Sequence, residues 1–130
     1  MDRLATKIWV DALVRRAEVA GAAAFIVQKG DESRGDTLIK VSTLDGKARA
    51  LTPRTGMDGE RMFIDLQTQG IGSEEAEVDA YIVRTRQRDR DLWVIEIEDR
   101  EGRHFLTESV EGDGENDTPE PPDIFKGGSW

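Results

Sequence analysis

Apolar and polar residues alternate along this chain in two rhythms, and the longest strand rhythm comes late. Across Leu92-Trp93-Val94-Ile95-Glu96-Ile97-Glu98-Asp99 the side chains repeat with period two. Leu92, Val94, Glu96 and Glu98 therefore share one face, and Trp93, Ile95, Ile97 and Asp99 the other. The Trp93/Ile95/Ile97 face is continuous and large, so it is expected to meet the core. The opposite face starts apolar and ends in two acids. Asp99-Arg100-Glu101-Gly102 reads as a turn, with Gly102 able to take positive φ. Arg103 to Thr107 then reads as a short returning strand that carries His104, Phe105 and Leu106.

The helical rhythm occurs twice. From Thr6 to Ala20, Trp9, Val10, Leu13, Ala17 and Ala20 fall on one stripe, with Trp9 expected as a core anchor and Gly21 as the stop. In the second helix Ser73 is the expected cap, and Val78, Tyr81, Ile82 and Thr85 make the stripe. Glu74, Glu75 and Glu77 sit at its start and Arg84, Arg86, Arg88 and Arg90 at its end, which is the charge order the helix dipole favours. Between the helices, strands are expected from Ala22 to Gln28, Thr37 to Thr43, Ala48 to Thr52 (stopped by Pro53) and Arg61 to Leu66. Asp45-Gly46 supplies a hairpin turn between the second and third. The connections look too short for crossovers, so the strands are expected to form an antiparallel meander. The expected fold class is α+β, in the order α-β-β-β-β-α-β-β. It is an antiparallel sheet of five to six strands with the two helices packed on one face.

From Glu108 the rhythm stops. The stretch around Thr118-Pro-Glu-Pro-Pro-Asp123 has too little apolar surface to offset its ordering entropy. The chain is thus expected to divide into one domain over 1–107 and an acidic, disordered tail over 108–130. Ile124, Phe125 and Trp130 stand out in that tail as a candidate docking motif. Charge follows the same division. The net charge is −9, and residues 108–130 hold seven acids against Lys126, which leaves 1–107 at −3. Such a balance argues against a nucleic-acid binder, which presents a basic footprint.

There is no cysteine, which removes thiol nucleophiles, thiolate metal sites and disulfides together. No stretch resembles a signal peptide or a membrane span, and the expected location is the cytoplasm. Glu96 and Glu98 on one strand face could hold Mg²⁺ or Mn²⁺ through carboxylate oxygens, and with Lys40 or Lys29 nearby could hydrolyse a phosphodiester. An alternation of acids on a strand is common, however, and the blander reading is that they are simply the wet face of a half-exposed antiparallel sheet. His104 is the sole histidine, so any His-based acid/base chemistry would depend on it. None of Ser33, Ser42 and Ser73 stands in a nucleophile-elbow pattern. Phosphate-cradling glycine loops are absent. Asp113 to Ile124 fails as a calcium loop, because Thr118 replaces the required Gly and Ile124 the required Glu. No cofactor is expected.

Three segments together carry a resemblance. They are Leu4 to Gly21 with Ile8-Trp9-Val10-Asp11-Ala12-Leu13-Val14-Arg15-Arg16, Gly30-Asp31…Gly35, and Glu77-Val78-Asp79-Ala80-Tyr81-Ile82 leading into Asp91-Leu92-Trp93-Val94-Ile95-Glu96-Ile97-Glu98-Asp99-Arg100. Over residues 3–107 the chain resembles a family of small proteobacterial proteins known as a domain of unknown function, number fourteen-ninety-one in that series. Arg90 stands where that pattern usually has Pro. The resemblance implies one compact domain in a bacterial cytoplasm, and no activity or cofactor. The sequence points first to a non-enzymatic interaction or regulatory module whose partner is another protein, with no nucleic acid and no membrane. Its contacts are expected at the sheet edge, at Arg84 and Arg88, or at Phe125 and Trp130. The alternative is a divalent-metal-dependent hydrolase or nuclease using Glu96, Glu98, Lys40 and His104. Anion binding near Arg84 and Arg88 is a third possibility.

Overall fold

The computed structural model of the chain describes residues 4–112. Helix α1 (Thr6–Val19) leads into β1 (Ala23–Gln28), and β2 (Thr37–Ser42), β3 (Ala48–Thr55) and β4 (Arg61–Asp65) follow. A short 3-10 turn (Leu66–Gln69) precedes α2 (Glu75–Arg88), β5 (Trp93–Glu98) and a two-residue β6 (Val110–Glu111). The strands form one sheet in the order β1-β5-β2-β3-β4-β6. The class is α+β, as expected, but the sheet is mixed. β1–β5, β2–β3 and β3–β4 are antiparallel, whereas β5 runs parallel to β2 and β6 parallel to β4.

The expected meander survives only over β2, β3 and β4. β5 inserts between β1 and β2, so β1 and β2 are not a hairpin. Because β5 ends up running the same way as β4, the chain between them must cross the sheet, and α2 is that crossover. The crossover also overturns the expectation that both helices cover one face. Val10 and Leu13 of α1 pack with Ile39, Val41, Leu51, Phe63, Trp93, Ile95 and Ile97. Val78 and Ile82 of α2 pack with Leu38, Ala48, Ala50, Leu92 and Val94. Along β2 and β5 these two sets alternate residue by residue, so the helices lie on opposite faces. The physical reason is that β2 and β5 are apolar on both faces at their N-terminal halves. Leu38, Leu92 and Val94 are at most 4% exposed, and a one-sided cover would have left them in water.

Four local expectations are also revised. Pro53 does not stop β3, which continues to Thr55 with Pro53 opposite Phe63. At that point β3 has passed its last partner in β2, Leu51 against Ile39, and an edge position tolerates the missing N–H. Ser73 does not cap α2; Glu74 occupies that position without a side-chain bond. Glu77 instead reaches back to accept from the Gly72 N–H at 2.8 Å. Residues 103–107 form no strand, because β5 already has β1 and β2 on its two sides. After the Gly102 turn (φ 76°) the segment places Phe105 and Leu106 on the α1-side core. It then reaches the far edge, where Val110 pairs with Phe63. The fold therefore runs past the expected boundary at 107. Glu108 accepts a hydrogen bond from Trp9 Nε1 at 2.9 Å, and Trp9 stacks on Phe63 at 5.8 Å. Phe125, Trp130 and the rest of the acidic tail from 113 lie outside the described residues.

Candidate functional site

Alternation along β2 turns Lys40 toward the α2 face, in the set that carries Leu38 and Ser42. The parallel register places it beside Glu96, and Ser42 beside Glu98. From above, Glu75 and Asp79 stand one turn apart on α2 and point to the same spot. The Lys40 side chain is 7% exposed, and its Nζ donates to Glu75 Oε2 at 2.7 Å and lies 2.8 Å from Asp79 Oδ1 and 3.6 Å from Glu96 Oε2. Two of the ammonium's donors are thus met by Glu75 and Asp79, and Glu96 adds its charge from beyond hydrogen-bond distance. Lys40 and Glu96 thus come together as the sequence suggested, while Glu75 and Asp79 are partners it did not name. Their i, i+4 spacing on the flank of the α2 apolar stripe, beside Val78 and Ile82, was the available signal.

The electrostatics follow from this enclosure. Burial works to lower the Lys40 value, but the hydrogen bonds it donates to Asp79 and Glu75 and the charge of Glu96 carry it above the usual lysine range. Lys40 is therefore a fixed cation at neutral pH, and neither a general base nor an amine nucleophile. Burial pushes the Glu96 carboxyl up; Lys40 pulls it down, and Glu98, Glu75 and Asp79 push it further up. The cluster holds a cation already. For a divalent ion to use Glu96 and Glu98 the ammonium would have to leave. Among the described residues no group of three or more His, Asp or Glu side chains is arranged to hold a metal.

His104 is not part of this cluster. Its Nδ1 accepts the Leu106 N–H at 2.9 Å, within the segment that packs Phe105 and Leu106 on the α1 side. Ser42 is buried, and its Oγ accepts from the Leu44 N–H at 3.2 Å. Arg84 and Arg88 are both exposed, and Arg84 lies over the Tyr81 ring at 6.0 Å. The arginine that reaches inward is Arg86, whose Nε donates to Gln28 Oε1 at 2.8 Å. With Val83, Gln87 and Arg90 it lines an open groove against the end of β1.

That groove borders the most apolar free surface of the sheet. β1 is an edge strand, paired only with β5, and Phe25, Ile26 and Val27 are 49%, 46% and 43% exposed. Ala22 to Gln28 is seven uncharged residues in a chain that is 35% charged. Phe25 lies on the α2 face, opposite Glu96, and Ile26 on the α1 face, opposite Ile95. A bulge follows Ile26, where the register shifts to Gln28 against Val94. Natural edges are usually guarded by charges, prolines or bulges; this one keeps only the bulge. Sequence reading found the strand but not its exposure, because an unbroken apolar run looks like a buried strand. The uncharged stretch was the overlooked signal.

Comparison with known proteins agrees with this architecture. A family model described as "Protein of unknown function (DUF1491)" matches residues 4–107. The fold is similar to the crystal structure of a DUF1491 family protein from Caulobacter crescentus, at 48% identity and TM-score 0.76, covering 84% of this chain and 100% of that one. An NMR structure of a DUF1491 family protein from the same organism is similar at 46% identity and TM-score 0.75, covering 85% and 99%. A solution structure of a protein from A. tumefaciens is similar at 33% identity and TM-score 0.67, covering 82% and 95%. No curated protein matches the chain. No helix among the described residues is long and apolar enough to cross a membrane. The chain belongs to the DUF1491 family, whose function is not known.

Proposed function

We propose that this chain is a non-enzymatic protein-interaction module of the bacterial cytoplasm, and that its contact surface is the β1 edge. The observation that carries this reading is the half-exposed Phe25-Ile26-Val27 run on a strand paired on one side only. An unpaired edge offers a row of backbone donors and acceptors to an extended segment, and alternate side chains give that segment its specificity. Phe25 and Ile26 project to opposite faces, so an added strand would be gripped on both. Arg86 and Arg90 line the groove beside this edge and bias the surface toward acidic partners, and the exposed Arg84 and Arg88 add positive charge to the same helix.

The hydrolase alternative draws no support from the geometry. Lys40 fills the space between the carboxylates, and His104 is engaged elsewhere. Site-specific photo-crosslinking tests the edge reading. A photoreactive residue at Val27 in the full chain, expressed in the source cell, is expected to yield discrete crosslinked products. The same residue at Met57, which is fully exposed in the β3–β4 loop, is the control. Equal product patterns from the two positions would refute a dedicated β1 contact.

A further inference from the structure

The β1 edge carries features that select one occupant. We infer that it pairs with the β1 edge of a second copy of this chain, giving an isologous dimer with one continuous twelve-stranded sheet. The inference rests on the edge reading above and names its partner. Take a two-fold axis normal to the sheet, midway between the Phe25 residues of the two copies. Antiparallel pairing then sets Phe25 against Phe25 on the α2 face and Ala24 against Ile26 on the α1 face, and every side chain meets one from its own face. The rings close over the axis, and each small Ala24 receives a large Ile26. No charge lies within Ala22 to Gln28, so nothing in the strand repels its copy.

The flanking charges are complementary under the same rotation. At the Gln28 end of β1 the α2 face presents Arg86, Gln87 and Arg90. At the Ala23 end it presents Glu98, one strand in, paired with Ala23 in register. Antiparallel pairing brings the Gln28 end of one copy to the Ala23 end of the other. Arg90 would then face Glu98 of the second copy across two strand spacings, ~10 Å between backbones, which two long side chains can span. Neither Arg90 nor Glu98 has an ion-pair partner among the described residues. Val83, also on the α2 face and 49% exposed, borders the same groove and would extend the apolar contact beyond the strands.

Sedimentation velocity of the full chain over a concentration series gives the mass, expected at twice the 14.5 kDa of one chain. Phe25→Lys places two ammonium groups on the axis and is expected to give a monomer with an unchanged circular dichroism spectrum. Arg90→Glu and Glu98→Arg, each acting twice across the axis, are expected to weaken dimerisation about tenfold apiece. The double variant re-forms both pairs in swapped order and is expected to return to within about threefold of the starting affinity. A wild-type chain that stays monomeric, or a dimer that survives Phe25→Lys, overturns the inference. So do charge variants with no effect or no rescue. Failure of the edge reading itself is read separately. A monomeric chain that crosslinks from Val27 to a different protein refutes only the second copy, whereas a monomer with no Val27 product refutes both.

Discussion

Lys40→Met tests the electrostatic reading of the α2 face. Met keeps the length and most of the apolar stem, so the packing between β2 and α2 is retained and only the charge goes. What remains is Glu75, Asp79 and Glu96 facing a space that no cation fills. Removing one partner of a buried pair costs ~3–5 kcal/mol when both groups are fully enclosed. Here the lysine side chain is 7% exposed, but Asp79 is 51% and Glu75 33% exposed, so water screens two of the three acids. A discounted loss of about 2 kcal/mol is expected at pH 7.5, or about 10 °C in Tm for a domain this size. Urea denaturation followed by circular dichroism measures it. The pH dependence separates charge from packing. Glu96 has a folded value above its unfolded one, so the folded state takes up its proton first, and stability is gained as pH falls through the raised value toward 4.5. Without Lys40 that value rises further, and the deficit should shrink between pH 7.5 and 5. In the unsubstituted protein Lys40 is raised, so its stabilisation is fully present below 10.5 and is lost as pH rises through the folded value. A Lys40→Met loss under about 0.5 kcal/mol, or one equal at both pH values, would refute the argument.

Two further substitutions test the scaffold. Asp99 is 6% exposed and takes Arg103 Nε at 3.0 Å, a second guanidinium nitrogen at 2.8 Å and the Arg103 backbone N–H at 2.8 Å. Asp99→Asn should cost about 2 kcal/mol at pH 7. Because the Arg103 hydrogen bonds hold the Asp99 value below 3.8, its contribution is present above 3.8 and lost as pH falls through the folded value. The variant and the parent should therefore converge at the most acidic pH at which both still fold; parallel acid-unfolding curves would contradict this. Gly30→Ala would place a Cβ 2.1 Å from the Asp91 carbonyl oxygen and 2.7 Å from Trp93 Cδ1. It should cost at least ~3 kcal/mol and perturb tryptophan emission, and a near-neutral result would show that the β1–β2 connection can move off β5.

What could be read from the sequence was local, and what escaped was long-range. Period-two patterning placed Trp93, Ile95 and Ile97 in the core correctly, because each residue's face depends only on its neighbours. The same reading could not see that β5 slots between β1 and β2, since strand order depends on where α2 travels. From that one miss came the others: the one-sided helices, the purely antiparallel sheet, and a returning strand at 103–107 with no edge left to join. Lys40 and Glu96 were named because both sit in strands. That a helix would bring Glu75 and Asp79 down onto them, and so turn a supposed cation site into a filled one, required the crossover. Exposure of Phe25, Ile26 and Val27 likewise depends on β1 being last in the sheet.

Three stretches that carry the family resemblance, the start of α1, the 30–35 turn and the start of β5, meet in one place, and this limits what family membership says about function. The Lys7 N–H donates to Glu32 O at 2.9 Å and Thr6 Oγ1 to Gly35 O at 3.0 Å, tying the start of α1 to the 30–35 turn. The Asp31 N–H donates to Asp91 O at 3.0 Å, and Trp93 Nε1 to Asp31 O at 2.8 Å, tying that turn to the start of β5. Gly30 and Gly35 both press on the Asp91 carbonyl at distances no side chain would allow. Each of these residue types has a structural reason to be where it is: glycine for close approach, Trp93 for a buried ring with a satisfied N–H. The motif therefore reports how the first helix, the turn and the central strand lock together. Phe25, Ile26, Val27 and Arg90 lie outside the lock. A surface that the scaffold does not require, yet that leaves three large apolar side chains half in water, is the surface that the proposed edge contact would bury.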